Sequence, residues 1–311
     1  MAERRLISAT EDGLWVAGRR IAVTRGQLML LMVAINEIFL GIDIYLAHAM
    51  NGTIRLYEWI PIIFGPAAGI ILLIAGVIAL KRRRDAVLLA FLVLGISIVV
   101  GLLGAYFHVQ RAIPPSGVDD PFLVVVLFIF APPVIGPLTF SLVGVLGVIA
   151  AVYEDPPNSG HMVVPGLFSW QVPFSKTRQY YIWVGLGILA TTLSSVLDHG
   201  RFNFENVLVW IPTVVGVFAT VSTVTMGLIE KPGKGDYITY VATMIALIVV
   251  GVLGFVFHTQ TDLTSSGVIV PERFMRGAPF LAPLLFADMA ALGLVALIPL
   301  EDRPEGSENA A

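Results

Sequence analysis

The sequence predicts an all-α integral membrane protein, with eight transmembrane helices arranged as two tandem, parallel four-helix repeats. Three observations predict it. The 311 residues are 57% hydrophobic and only 13% charged, with a mean hydropathy of +0.86, well outside the usage of soluble domains. Apolar runs of about 20 residues, the length that crosses a bilayer, occur at 27–50, 57–80, 86–109, 121–153, 180–199, 207–229, 237–259 and 278–300. The chain also repeats itself. Gly101–Val118 and Gly251–Val268 align without a gap, and half of the eighteen positions are identical, among them Gly104/Gly254, Phe107/Phe257 and His108/His258. A repeat of that length speaks for the whole fold. It extends upstream, where Trp59-Ile60-Pro61 recurs as Trp210-Ile211-Pro212 and His48 falls on His199. Downstream, Phe130 and Pro133 meet Phe280 and Pro283 at the same spacing.

Taken in order, residues 1–26 form a cytoplasmic N-terminal segment, either an interfacial amphipathic stretch or a basic tail, with Arg4, Arg5, Arg19, Arg20 and Arg25 beside Leu6, Ile7, Leu14, Trp15 and Val16. The first membrane repeat is 27–153. Its fourth span is too long for one straight crossing and carries Pro132, Pro133 and Pro137, which predict a kinked or broken helix. Residues 154–179 are a cytoplasmic linker whose aromatic stretch, Leu167 to Phe174, suits the membrane surface. The second repeat is 180–300, with Pro279 and Pro283 again predicting a break. Residues 301–311 read as a disordered tail. Trp59 and Trp210 suit the interfacial aromatic belt, and Pro61 and Pro212 the first helical turn.

Lysines and arginines set the orientation. One side collects the N-terminal arginines, Lys81 to Arg84, Lys176, Arg178, Lys231, Lys234 and Arg303; the other has only Arg55, Arg111, Arg201, Arg273 and Arg276. Both termini are therefore expected in the cytoplasm of a plasma-membrane protein. His48, His108, His199 and His258 then end four spans at the outer side. A net charge of −3 speaks against a nucleic-acid partner, and the lack of cysteine excludes disulfides, thiolate metal sites and iron–sulfur clusters. No nucleotide-binding, kinase or hydrolase motif occurs.

Two imidazoles from neighbouring helices of a bundle are a natural pair of ligands for one haem iron. His48 with His108, and His199 with His258, are the candidate metal ligands, one site per repeat. Gly104 and Gly254 lie one turn before His108 and His258 and are read as bare helix surface for a flat macrocycle, bordered by Phe107 and Phe257. The cofactor reading is haem b; copper is the alternative, with His48 and Asp43, or Asp198 and His199, as ligands. Glycines and interfacial histidines also occur in helix packing without a cofactor. Glu37, Asp43 and Asp288 lie deep in the first and eighth spans, where carboxylates face a bundle interior or a water-filled cavity. They are candidates for a proton or ion path, or for interhelical hydrogen bonds. The charges Arg111, Asp119, Asp120, Asp262, Glu272, Arg273 and Arg276 in the outer loops are read as solvated.

Eight spans in two four-helix halves, each with an outer histidine pair, are similar in plan to the haem A synthase family. The likeness is of plan alone: that family's glutamate-plus-histidine motif has no match in the first outer region, and no residue is carried over. Three functions follow from the residues. The first is a haem-linked electron-transfer protein or membrane oxidoreductase component, exchanging electrons with quinone or an outer-side carrier. The second is a proton- or ion-coupled transporter. The third is a non-catalytic subunit bound to other membrane subunits.

Overall fold

A computed structural model describes residues 7–10, 13–16, 19–21, 24–49, 52, 54–79, 83–112, 133–164 and 166–298. Helix dominates. α1 is Arg25–Ala49, α2 Trp59–Ala79, α3 Arg83–Ala112 and α4 Ile135–Ala151. After a connecting sheet come α5 Lys176–Gly200, α6 Trp210–Leu228, α7 Lys234–Asp262, the short α8 Pro271–Arg276 and α9 Leu284–Ala296. Single 3₁₀ turns, Leu56–Glu58 and Val207–Val209, lead into α2 and α6. Six of these helices are long and apolar enough to cross a membrane; α4 and α9 are shorter apolar helices.

The helices are apolar all round, as buried and lipid-facing helices are. Large side chains such as Ile63, Val77, Val214, Phe218 and Ile238 stand exposed on the outside of the bundle, a surface suited to bilayer contact. The core is built from α1, α4, α5 and α9, with Met29, Val33, Phe140, Tyr180, Ile188, Ala290 and Leu292 fully buried or nearly so. α2 and α3 flank α1 and α4, and α6 and α7 flank α5 and α9.

One end of the bundle is tied by cations placed at helix C-termini, where backbone carbonyls lack partners. Arg25 Nη1 donates to the Ile298 carbonyl beyond α9 (3.0 Å), and its guanidinium lies over the Tyr180 ring at 5.3 Å. Lys176 Nζ donates to Ala150 and Val152 at the end of α4 (3.1 and 2.7 Å), and Arg178 to Gly227 and Leu228 at the end of α6 (both 2.7 Å). The starts of α1 and α5 and the ends of α4, α6 and α9 therefore share this end.

Several expectations change. The N-terminal segment, read as an interfacial amphipathic stretch or a basic tail, has as its described backbone an antiparallel meander of β1 Ile7–Thr10, β2 Gly13–Val16 and β3 Arg19–Ile21, with Ile7 opposite Val16 and Leu14 opposite Ile21. The linker is a second three-stranded antiparallel sheet, β4 Tyr153–Glu154, β5 His161–Val164 and β6 Phe168–Gln171. Met162 and Val164 seal it against Val87 and Val152. Alternating side chains let such a sheet bury one face, so the linker makes a small core of its own. The break expected at Pro279 and Pro283 is real, since i→i+3 hydrogen-bonded turns run from Pro279 to Phe286 and α9 starts only after Pro283. Within the fourth span only 133–153 is described. Residues 121–132, with Phe130 and Pro132, lie outside the described residues, as do Asp119, Asp120 and the tail 301–311.

Two of the loop charges read as solvated tie helices together, and one of them, Asp262, is buried. Arg111 donates to Glu58 Oε1 (3.0 Å) and to the Tyr57 hydroxyl (2.5 Å), tying the end of α3 to the start of α2. Asp262 is buried, and its Oδ1 accepts the Ala278 N–H at 2.9 Å, pinning the chain after α8 to the end of α7. An Asp262→Ala variant removes the partner of that half-buried N–H and is expected to cost about 1 kcal/mol. It should also speed proteolysis between 263 and 279 in detergent, measured against the parent protein.

Candidate functional site

The histidines gather where the sequence places them, at the end of the bundle opposite the Arg25, Lys176 and Arg178 caps. α1 and α3 run side by side in direction, so their C-terminal histidines arrive at one level. The His48 and His108 ring centres are 6.1 Å apart. α5 and α7 do the same for His199 and His258, at 6.4 Å. All four rings are half-buried.

Their inner nitrogens are engaged. His48 Nδ1 lies 2.8 Å from the Ile44 carbonyl, His108 Nδ1 2.8 Å from the Pro133 carbonyl, and His258 Nδ1 3.1 Å from the Pro279 carbonyl. A carbonyl only accepts, so the proton of each neutral imidazole sits on Nδ1 and Nε2 keeps a free lone pair. Metal-binding histidines show this arrangement, because the second hydrogen bond fixes the tautomer and the ring. His199 differs: its Nδ1 lies 3.3 Å from the Ser195 hydroxyl, which can donate or accept.

The carbonyls on His108 and His258 expose a motif that reading at one fixed spacing passes over. Pro133 and Pro279 hold equivalent places, and so do Pro137 and Pro283, giving Pro-x-x-(Gly/Ala)-Pro-Leu-x-Phe at 133–140 and 279–286. Phe140 and Phe286, the last residues of the motif, are both buried. The pairing of Pro133 with Pro283 is therefore off by about one helical turn, because the connection from His258 to Pro279 is four residues shorter than that from His108 to Pro133.

Those prolines also correct the role of the glycines. A Cβ on Gly104 would lie 2.7 Å from Pro137 Cβ, and one on Gly254 2.7 Å from Pro283 Cβ. The surface read as bare is filled by proline, so these glycines let α3 meet α4 and α7 approach α9. Phe107 and Phe257 point outward and are exposed; Phe107 packs on Tyr57, 5.2 Å between ring centres.

The deep carboxylates fall on two stripes of α1. Glu37 and His48 share the stripe that faces α3. Glu37 is fully buried and bonded to Ser97. Asn36 and Asp43 share the stripe that faces the second group of helices: Asn36 is buried beside Asp288 of α9, and Asp43 lies within electrostatic reach of Asp198 of α5. The three carboxylates therefore do not form one cluster. Among the described residues no group of three or more His, Asp or Glu is placed to hold a metal ion, so the copper expectation is left with two ligands at a site. No protein-family model matches this chain, and no curated protein or solved structure matches it.

Proposed function

We propose that the chain is a plasma-membrane protein of eight spans in two tandem, parallel four-helix halves, with both termini cytoplasmic. Each half holds a haem b iron between its outer histidines and exchanges electrons with quinone or an outer-side carrier. The observation that carries this reading is the pair of imidazole pairs at 6.1 and 6.4 Å. Two ring nitrogens each about 2 Å from a shared ion, the length of a metal–imidazole bond, put ring centres roughly 6 Å apart. In His48, His108 and His258 a carbonyl engages Nδ1, which leaves Nε2 as the nitrogen free to bind.

The ligand count favours haem over a bare ion. A structural or catalytic zinc-type site takes three or four protein ligands, whereas a macrocycle leaves its iron two axial positions. Haem iron so held would supply one-electron transfer between its ferric and ferrous states. The orientation rests on the cationic end, which belongs on the cytoplasmic side and leaves the histidines outside.

Detergent-purified protein from cells well supplied with haem tests this. Oxidised and dithionite-reduced absorption spectra, with haem quantified, are expected to show a low-spin b-type spectrum and two haems per chain. A colourless protein would overturn the reading.

A further inference from the structure

Three turns below the first histidine pair lies a second pair on the same two helices. Glu37 stands eleven residues before His48 and Ser97 eleven before His108, about 16 Å along each axis. Both side chains are fully buried. Ser97 Oγ lies 2.5 Å from Glu37 Oε1 and 3.0 Å from the Phe140 carbonyl oxygen. Among the described residues Glu37 Oε2 has no hydrogen-bond partner.

A serine hydroxyl has one proton and two acceptor lone pairs. Here it meets two oxygens, and one of them, a carbonyl, can only accept. If Glu37 were ionised, both neighbours would compete for a single proton, and a buried carboxylate would keep one oxygen with no donor. Adding one proton resolves both conflicts. Oε1–H donates to Ser97 Oγ, Ser97 Oγ–H donates to the Phe140 carbonyl, and the oxygen left bare is that of a neutral acid. Oxygens 2.5 Å apart share a proton and leave no room for a metal cation between them. Among the described residues no lysine, arginine or histidine bonds to Glu37. Asp43 and Asn36 lie on the adjacent stripe of α1, and Asp288 of α9 lies beside Asn36.

We propose that Glu37 is a proton-binding site buried in the first group of helices, held as a carboxylic acid in the chain Glu37–Ser97–Phe140 carbonyl. The second group has no counterpart at the same level. The residues eleven before His199 and His258 are Ile188 and Leu247, both fully buried. Two similar helix pairs thus differ at this level: one stores a proton, the other only packs. At this level, proton binding belongs to the first pair.

Infrared spectroscopy of the purified full-length protein tests this, with or without bound haem, so its outcome is separate from that of the histidine reading. At neutral pH the carbonyl stretch of a protonated carboxyl group is expected in the wild type and lost in Glu37→Gln. In Ser97→Ala the band is expected to shift, because the acid loses its acceptor. The double variant Glu37→Ile/Ser97→Leu installs the pair the second group already carries, so it guards against a folding failure, and it too should lack the band. A wild-type carboxyl region unchanged in Glu37→Gln and in the double variant overturns the proposal.

Discussion

His108→Ala protein is expected to carry one haem instead of two, and His48→Ala protein the same one. On the proposed reading each histidine would supply one bond to a shared iron, and His108 is held in place by the Pro133 carbonyl at 2.8 Å. Losing either ligand leaves a single imidazole and an open axial position. The low-spin b-type spectrum of that site should then collapse, and most of its haem should be lost in purification. The double variant should be no worse than either single one, because residues that act as a unit are not additive. His258→Ala should remove the other haem independently, and His108→Ala with His258→Ala should leave the protein colourless. If the histidines only pack, each truncation of a half-buried ring costs about 1 kcal/mol and leaves the spectrum alone. A full complement of haem in His108→Ala would decide for packing.

Gly101→Leu is expected to destabilise the folded bundle by about 2–3 kcal/mol, the upper part of the range for forcing bulk into a packed interface. A Cβ at 101 would lie 2.6 Å from the Ser141 nitrogen and 2.8 Å from the Pro137 carbonyl oxygen. Both are backbone atoms, so a rotamer change cannot clear them, and α4 must move away from α3. Gly251→Leu meets the same obstacle, 2.8 Å from the Ala287 nitrogen and 2.9 Å from the Pro283 carbonyl oxygen. Gly95→Leu on the same α3 meets nothing within 4 Å and serves as control. Unfolding in mixed detergent micelles reads the difference. Equal stability of the 95 and 101 variants would mean that α3 and α4 do not pack this closely.

Much of the candidate site was legible in the sequence, because helices report their own ends and faces. Apolar runs located the spans, and the doubled His48/His108 and His199/His258 spacing identified four side chains that come together in pairs. The proline motif at 133 and 279 was equally available, but alignment at one fixed spacing hid it, since the loop before it changes length. The glycines misled for a different reason. A glycine one turn from a histidine looks the same whether a cofactor or another helix covers it, and only the position of Pro137 and Pro283 separates the two. The strands at both ends of the first group were missed because short polar–apolar alternations carry little signal beside runs of membrane-length apolar residues.

What the sequence determined by itself was membrane character, helical class and the level of the histidines along their helices. Each follows from composition and from the 3.6-residue period, which are properties of one segment at a time. The tertiary structure decided which segments face one another. It set Ser97 against Glu37 although sixty residues separate them, and Asn36 beside Asp288 across the two groups of helices. It turned Arg111 and Asp262 from loop charges into ties between helices. Partners of that kind depend on how whole helices cross and pack, and no local period encodes it.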